Sequence, residues 1–177
     1  MIENKARIAA NGGTIATSVL IYMALHDDDA LRFSTKRLNA ITDTVTTYSE
    51  DINPSAEKFI LYRNRLDQCG IDFQLKYDFI RVLMKGLKFS GKRERTGGEA
   101  GIEATYTLIL LAAHDIYGLG RTRLRRIQHR IKEYAWAIKD GAVHILEYMK
   151  CLACECGQKY QVLMNYENEY GEIRIYG

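Results

Sequence analysis

The chain has 177 residues, of which 47% are hydrophobic and 27% charged, and its formal net charge is +3. That balance suits one globular domain or two small ones sharing a core, and it excludes disorder and collagen-like or mucin-like chains. The only proline is Pro54, so long apolar-periodic runs read as helices.

The N-terminus, MIENKARIAANGG, lacks the apolar core and cleavage site of a secretory signal. The most apolar run, residues 107–113, is far shorter than the roughly 20 residues of a membrane helix. The expectation is a cytoplasmic protein, in a bacterial host, with Cys69, Cys151, Cys154 and Cys156 reduced.

Thr14 is placed to cap a first helix and Ser34 a second; Asn53-Pro54 starts a third, which Gly70 ends. FQLKY (73–77) could be a short extended piece. A linking helix follows around 79–89, and SGKRERTGGEAG (90–101) reads as a charged, glycine-rich loop. Residues 102–116 form an apolar helix, broken at Gly118 and Gly120. Leu124, Ile127, Ile131, Ala135 and Ile138 share one face of the next helix. Gly141 ends it, and Val143, Leu146, Met149, Leu152 and Ala153 define a further helix ending at Gly157. The C-terminal YQVLMNYENEYGEIRIYG alternates in a way compatible with a small β-hairpin.

Two stretches match. ALHDDDALRFSTKRLNAI (24–41) and AAHDIYGLGRTRLRRI (112–127) both place a His-Asp pair before a basic residue and leucine, and Cys69-Gly70 and Cys156-Gly157 fall in register downstream. The expected fold is mainly α, with two pseudo-repeated three-helix units packed together. Residues 1–78 hold the first unit, 79–101 the linking helix and basic loop, and 102–177 the second unit.

Charge is concentrated in the middle. Residues 74–132 hold 13 Lys+Arg against 5 Asp+Glu, an asymmetry that marks a surface for phosphates or an acidic partner, or else a solvated helix face. The sharpest segment is residues 114–132, where Gly118-Leu119-Gly120 opens a helix carrying Arg121, Arg123, Arg125, Arg126 and Arg130. Its Gly-Leu-Gly-x-x-x-Leu-x-x-Ile spacing resembles the hairpin and second helix of helix-hairpin-helix motifs, which implies binding to a nucleic-acid backbone. Arg32-Phe33-Ser34 replaces the glycine turn in the first unit, so one hairpin at most fits that pattern. The bland alternative is a turn between packed helices, with the arginines facing solvent.

His114, Asp115, Gly118, Gly120, Arg121, Arg123 and Leu124 also form a pattern similar to a family of small, mostly uncharacterised proteins of phages and prophages of Gram-positive bacteria. Leu119 stands where that family commonly has phenylalanine. The resemblance implies a phage or mobile-element origin and no chemistry. By analogy with phage accessory proteins, the expected function is non-catalytic: binding nucleic acid or a host nucleoprotein, and modulating or inhibiting a host nucleic-acid enzyme, with an anti-CRISPR-like inhibitor as one candidate. The first alternative is a regulator or replication factor acting directly on duplex DNA. The second is a small metal-dependent hydrolase.

The binding residues expected are Gly118, Gly120, Arg121, Arg123, Arg125, Arg126 and Arg130, then Lys92, Arg93 and Arg95. Arg121, Arg125 and Arg126 lie off the apolar stripe, so reversing their charge should spare the fold. No catalytic residue, metal or cofactor is assigned. His26-Asp27 and His114-Asp115 suggest metal ligands, with His129 and His144 as further donors, but a symmetric pair suits a structural role: each His bonded at the helix end, each Asp capping the next turn. Cys151, Cys154 and Cys156 with Cys69 would make a four-cysteine zinc site only if the fold gathers them. Tyr134 and Trp136 fit either a stacking surface for bases or the edge of the core.

Overall fold

The computed structural model describes residues 2–52 and 56–175. Eight helices run through them: α1 (Ile2–Asp27), α2 (Thr35–Ile52), α3 (Ala56–Gln68), α4 (Phe73–Gly86), α5 (Lys92–Tyr117), α6 (Arg121–Lys139), α7 (Ile145–Cys156) and α8 (Gln161–Tyr170). The described residues contain no strand. The mainly α expectation holds, while the C-terminal hairpin does not. Residues 161–170 form α8, with Leu163 buried and Lys150 of α7 donating to Glu167 at 2.8 Å.

Three other expectations change. Residues 73–77 are the first turn and a half of α4, capped by the Asp72 carboxylate, which accepts from the Leu75 amide at 3.1 Å. Thr14 lies in the middle of α1 rather than at its start. The stretch 90–101 is not a loop: from Lys92 onward it forms the first turns of α5. Asn53 and Pro54 fall outside the described residues.

Glycine at 97, 98 and 101 is there for packing. A Cβ on Gly97 would lie 2.3 Å from the Ala6 carbonyl oxygen, and one on Gly101 2.2 Å from that of Ala10. On the opposing helix, a Cβ on Gly13 would lie 2.5 Å from the Gly98 carbonyl oxygen. Such distances leave no room for a side chain, so the backbones of α1 and α5 touch. The pairs 6/97 and 10/101 advance in the same direction, and the two helices are therefore parallel.

Beyond the glycines the contact widens and fills with side chains. Val19, Leu20, Ile102, Tyr106, Ile109 and Leu110 are essentially inaccessible to solvent, each worth about 1.5–3 kcal/mol of burial. Around this pair, α2 and α3 pack on α5, α6 and α7 pack on α1, and α4 lies along α6.

One segment, Asn4–Asp27, is long and apolar enough to cross a membrane by length and composition, a longer stretch than the 107–113 run. Here it is a core helix, seated on α5.

Replacing Gly101 with alanine is expected to destabilise the fold by about 1–3 kcal/mol, because the Ala10 backbone cannot retreat without parting the helices. Urea unfolding measures this, and a Gly12→Ala variant serves as control, since a Cβ there meets nothing.

Candidate nucleic-acid interface

Gly118 ends α5 in the left-handed region (φ 63°), donating its amide to the His114 carbonyl, and Gly120 then caps α6. This turn is the geometry expected of residues 118–120. The arginines that follow are another matter.

The Arg121 side chain lies across Gly70, where an added Cβ would meet its Nε at 2.6 Å. Arg125 Nη2 sits 3.5 Å from Asp72. Arg126 donates from Nε and Nη2 to both oxygens of Asp28, at 2.5 and 2.9 Å. Asp28 is 2% exposed and also accepts the Ala30 and Leu31 amides. Arg130 leans on Tyr134 in the field of Asp27 and Asp28. Arg121 and Arg123 are both exposed, and neither has a carboxylate within ion-pair distance among the described residues. Arg125 and Arg126 are therefore an internal clamp, Arg121 is folded over Gly70, and Arg126 joins the two halves of the chain. Charge reversal at 126 is not neutral to the fold, contrary to expectation.

A second cationic region lies at the other end of the molecule. Because α1 and α5 are parallel, their N-termini share that end, and two positive helix-dipole ends meet there. Arg81, Lys85 and Lys88, from α4 and just after it, join Lys92, Arg93 and Arg95 of α5; all six are exposed. Glu94, the only acid within residues 81–95, turns back to accept from the Ser90 amide and hydroxyl at 3.0 and 2.6 Å.

Cations beside a helix N-terminus work against stability, so this surface suits an anion better than it suits the fold. It borders a groove of about 680 Å³ between α4 and α5, lined by Tyr77, Arg81, Lys85, Lys88, Phe89 and Arg95 among others. Asp78 and Glu99 also line it, and Asp78 accepts from Gln74 and Arg81. Lys76 of the same basic block is no part of the surface: it is buried and donates to Glu103 at 3.1 Å. Of the expected binding residues, Lys92, Arg93 and Arg95 belong here. Arg81, Lys85 and Lys88 are additions, which the excess of basic over acidic residues in 81–95 could have revealed.

At the far end, both histidines behave as structural anchors. His26 Nδ1 donates to the Phe33 carbonyl at 3.0 Å, and His114 Nδ1 to the Leu119 carbonyl at 2.9 Å. The aspartates do not cap the next turn as expected. Tyr134 donates to Asp27, and Tyr48 to Asp115, each at 2.6 Å. Burial and then the Asp115 carboxylate push Tyr48 up to about 12.

At the second aspartate, Arg65 supplies a cation at 2.8 Å. At the first, α7 supplies a carboxylate instead: Glu155 Oε2 lies 2.7 Å from His26 Nε2. Burial pulls the His26 pKa down, but the Phe33 carbonyl and Glu155 more than offset this, leaving it above its ordinary value. The motif at 24–41 showed His26 and Asp27 but gave no sign of Glu155.

His129 is exposed and His144 caps α7, accepting the Leu146 amide on Nδ1 at 3.2 Å. The cysteines do not gather. Cys69 lies near Asp115 and Arg65, whereas Cys151 and Cys156 lie near Asp27 and Glu155. Trp136 is partly exposed, but the Lys139 ammonium covers its ring at 4.0 Å, and Tyr134 packs on Tyr148. Compared with protein-family models, curated proteins and solved structures, the chain matches none.

Arg126→Ala is expected to cost about 2–3 kcal/mol in urea unfolding, since it strands a buried carboxylate whose partner was half exposed. Arg123→Glu should change stability by less than about 0.5 kcal/mol.

Proposed function

We propose that the protein binds the backbone of a nucleic acid, bare or within a nucleoprotein, through the α4–α5 groove rather than through the first turns of α6. The observation that carries this reading is the set of six exposed cations at 81, 85, 88, 92, 93 and 95, of which only Arg81 is ion-paired, to Asp78, while Glu94 is turned back to Ser90. Such a set neutralises phosphates and releases counterions.

Tyr77, 65% exposed, and Phe89 give the groove aromatic surface beside the cations. That combination suits unpaired bases, which stack on rings without sequence preference. Single-stranded nucleic acid is the preferred class. The groove offers phosphate-binding cations and no set of groups that would break a bond, so the role is binding. Together with the resemblance to phage proteins, this supports an accessory protein that modulates a host nucleic-acid enzyme by holding its nucleic acid.

We read the chain, in the same spirit, as a duplicated unit. The support is the pair of matched bonds, His26 to Phe33 with Tyr134 to Asp27, and His114 to Leu119 with Tyr48 to Asp115. Each unit then has four helices, α1–α4 and α5–α8, rather than three.

Fluorescence anisotropy with labelled single-stranded and duplex oligonucleotides, over a salt series, tests the binding. The unchanged protein should favour the single strand, with log K falling by about 0.7 per log salt for each phosphate contacted. Lys85→Glu, Lys88→Glu and Arg95→Glu together should weaken it at least tenfold, and Arg123→Glu should leave it nearly unchanged. Affinity untouched by the triple variant would reject the reading.

A further inference from the structure

The C-terminal ends of α1 and α5 carry the same residues in the same first bonds, yet their charge is resolved differently. At α5, Asp115 accepts from Tyr48 and Arg65, and the site is neutral within the chain. At α1, Asp27 accepts from Tyr134, and the α7 residue that reaches the site is a second carboxylate, Glu155. Arg126 is committed to Asp28, and Arg130 faces Tyr134 without an ion-pair contact to Asp27. The neighbouring groups on α7 are Glu147, Tyr148 and Cys151, none of them a cation.

His26 makes this arrangement unusual. A carbonyl oxygen can only accept, so the bond to Phe33 fixes the proton on Nδ1. The Nε2 lone pair then points at Glu155 Oε2, 2.7 Å away. Two acceptors so close need something positive between them: either a second proton on the ring or a metal ion. A ring held through Nδ1 by a backbone carbonyl is the usual support of a metal-binding histidine. The ligand atoms of His26, Asp27 and Glu155 all lie within 4.8 Å of one another. Tetrahedral zinc bonds place ligand atoms about 3.3 Å apart. Turning the exposed Glu155 side chain is a small adjustment toward that spacing.

We propose that His26, Asp27 and Glu155 bind one Zn²⁺ ion. The imidazole nitrogen favours zinc over magnesium or calcium, which prefer shells of oxygen. Three protein ligands leave a position for water, as in open zinc sites. Binding replaces the proton between His26 and Glu155 with the ion and ties the end of α1 to α7. The inference is independent of the nucleic-acid reading, because the two sites lie at opposite ends of α1 and α5.

Calorimetric titration of Zn²⁺ into the chelator-treated full chain tests it, with Mg²⁺ titrated in parallel. One Zn²⁺ per chain is expected, weakened at least tenfold by Glu155→Gln and by His26→Gln, with Asp115→Asn unchanged and no saturable Mg²⁺ binding. Far-UV circular dichroism accompanies each variant. Glu155→Gln, on an exposed side chain, keeps the test decisive should His26→Gln fail to fold. Failure of Zn²⁺ to saturate at one per chain, or equal affinity in Glu155→Gln, overturns the proposal. So does loss of binding in Cys154→Ser alone, which would place the ion on surface thiol.

Discussion

The backbone contact between α1 and α5 governs the rest of the molecule. Glycine or alanine at positions 6, 10, 13, 97, 98 and 101 lets two 26-residue helices meet at van der Waals distance and run in the same direction. Parallel contact brings like dipole ends together, which antiparallel packing would avoid. Both helix N-termini stand at one pole and both His-Asp pairs at the other, and each pole then needs charge of its own. At the His-Asp pole the chain supplies much of it: Arg126 binds Asp28 and Arg65 binds Asp115. At the N-terminal pole it adds more positive charge, which is the feature that stability does not account for.

This division explains why the arginine-rich helix is not the strongest candidate surface. Arginine on the first turns of α6 looks available in a sequence because acids near it in the chain are few. In space, α6 lies beside the α1–α2 connection and the start of α4, whose Asp28 and Asp72 are far away in sequence. Two of its five arginines, Arg125 and Arg126, are drawn into those contacts, and Arg130 leans on Tyr134 in the field of Asp27 and Asp28. The cations of α4 and of the first turn of α5 meet no comparable supply of carboxylate, so they keep their field. A groove with rings and cations mostly outside ion pairs is where we propose that a nucleic acid binds.

What could be read in advance followed local physics. The α6 stripe, the glycine turn at 118–120, the stop at Gly157 and the histidine bonds at both helix ends depend on residues within a turn or two of one another. What could not be read depended on partners. Gly97 and Gly101 look like loop residues until α1 is seen to press against them, Gly98 until the Phe89 ring is seen to lie over it, and Thr14 looks like a cap until the helix is seen to begin twelve residues earlier. The alternation in the C-terminal segment from Tyr160 onward suggested a β-hairpin, but residues 161–170 are helical and no strand exists among the described residues. Glu155 and Asp28 gain their roles only when helices distant in sequence arrive.

The parallel register of α1 and α5 is what places both poles. Pulsed electron paramagnetic resonance between spin labels carried by unnatural amino acids at Lys5 and Lys92 reads it directly. Parallel contact at helix-packing separation predicts a distance below about 25 Å, labels included. A distance near 39 Å, about the length of a 26-residue helix, would mean the helices run oppositely, and would separate the cations gathered at one end.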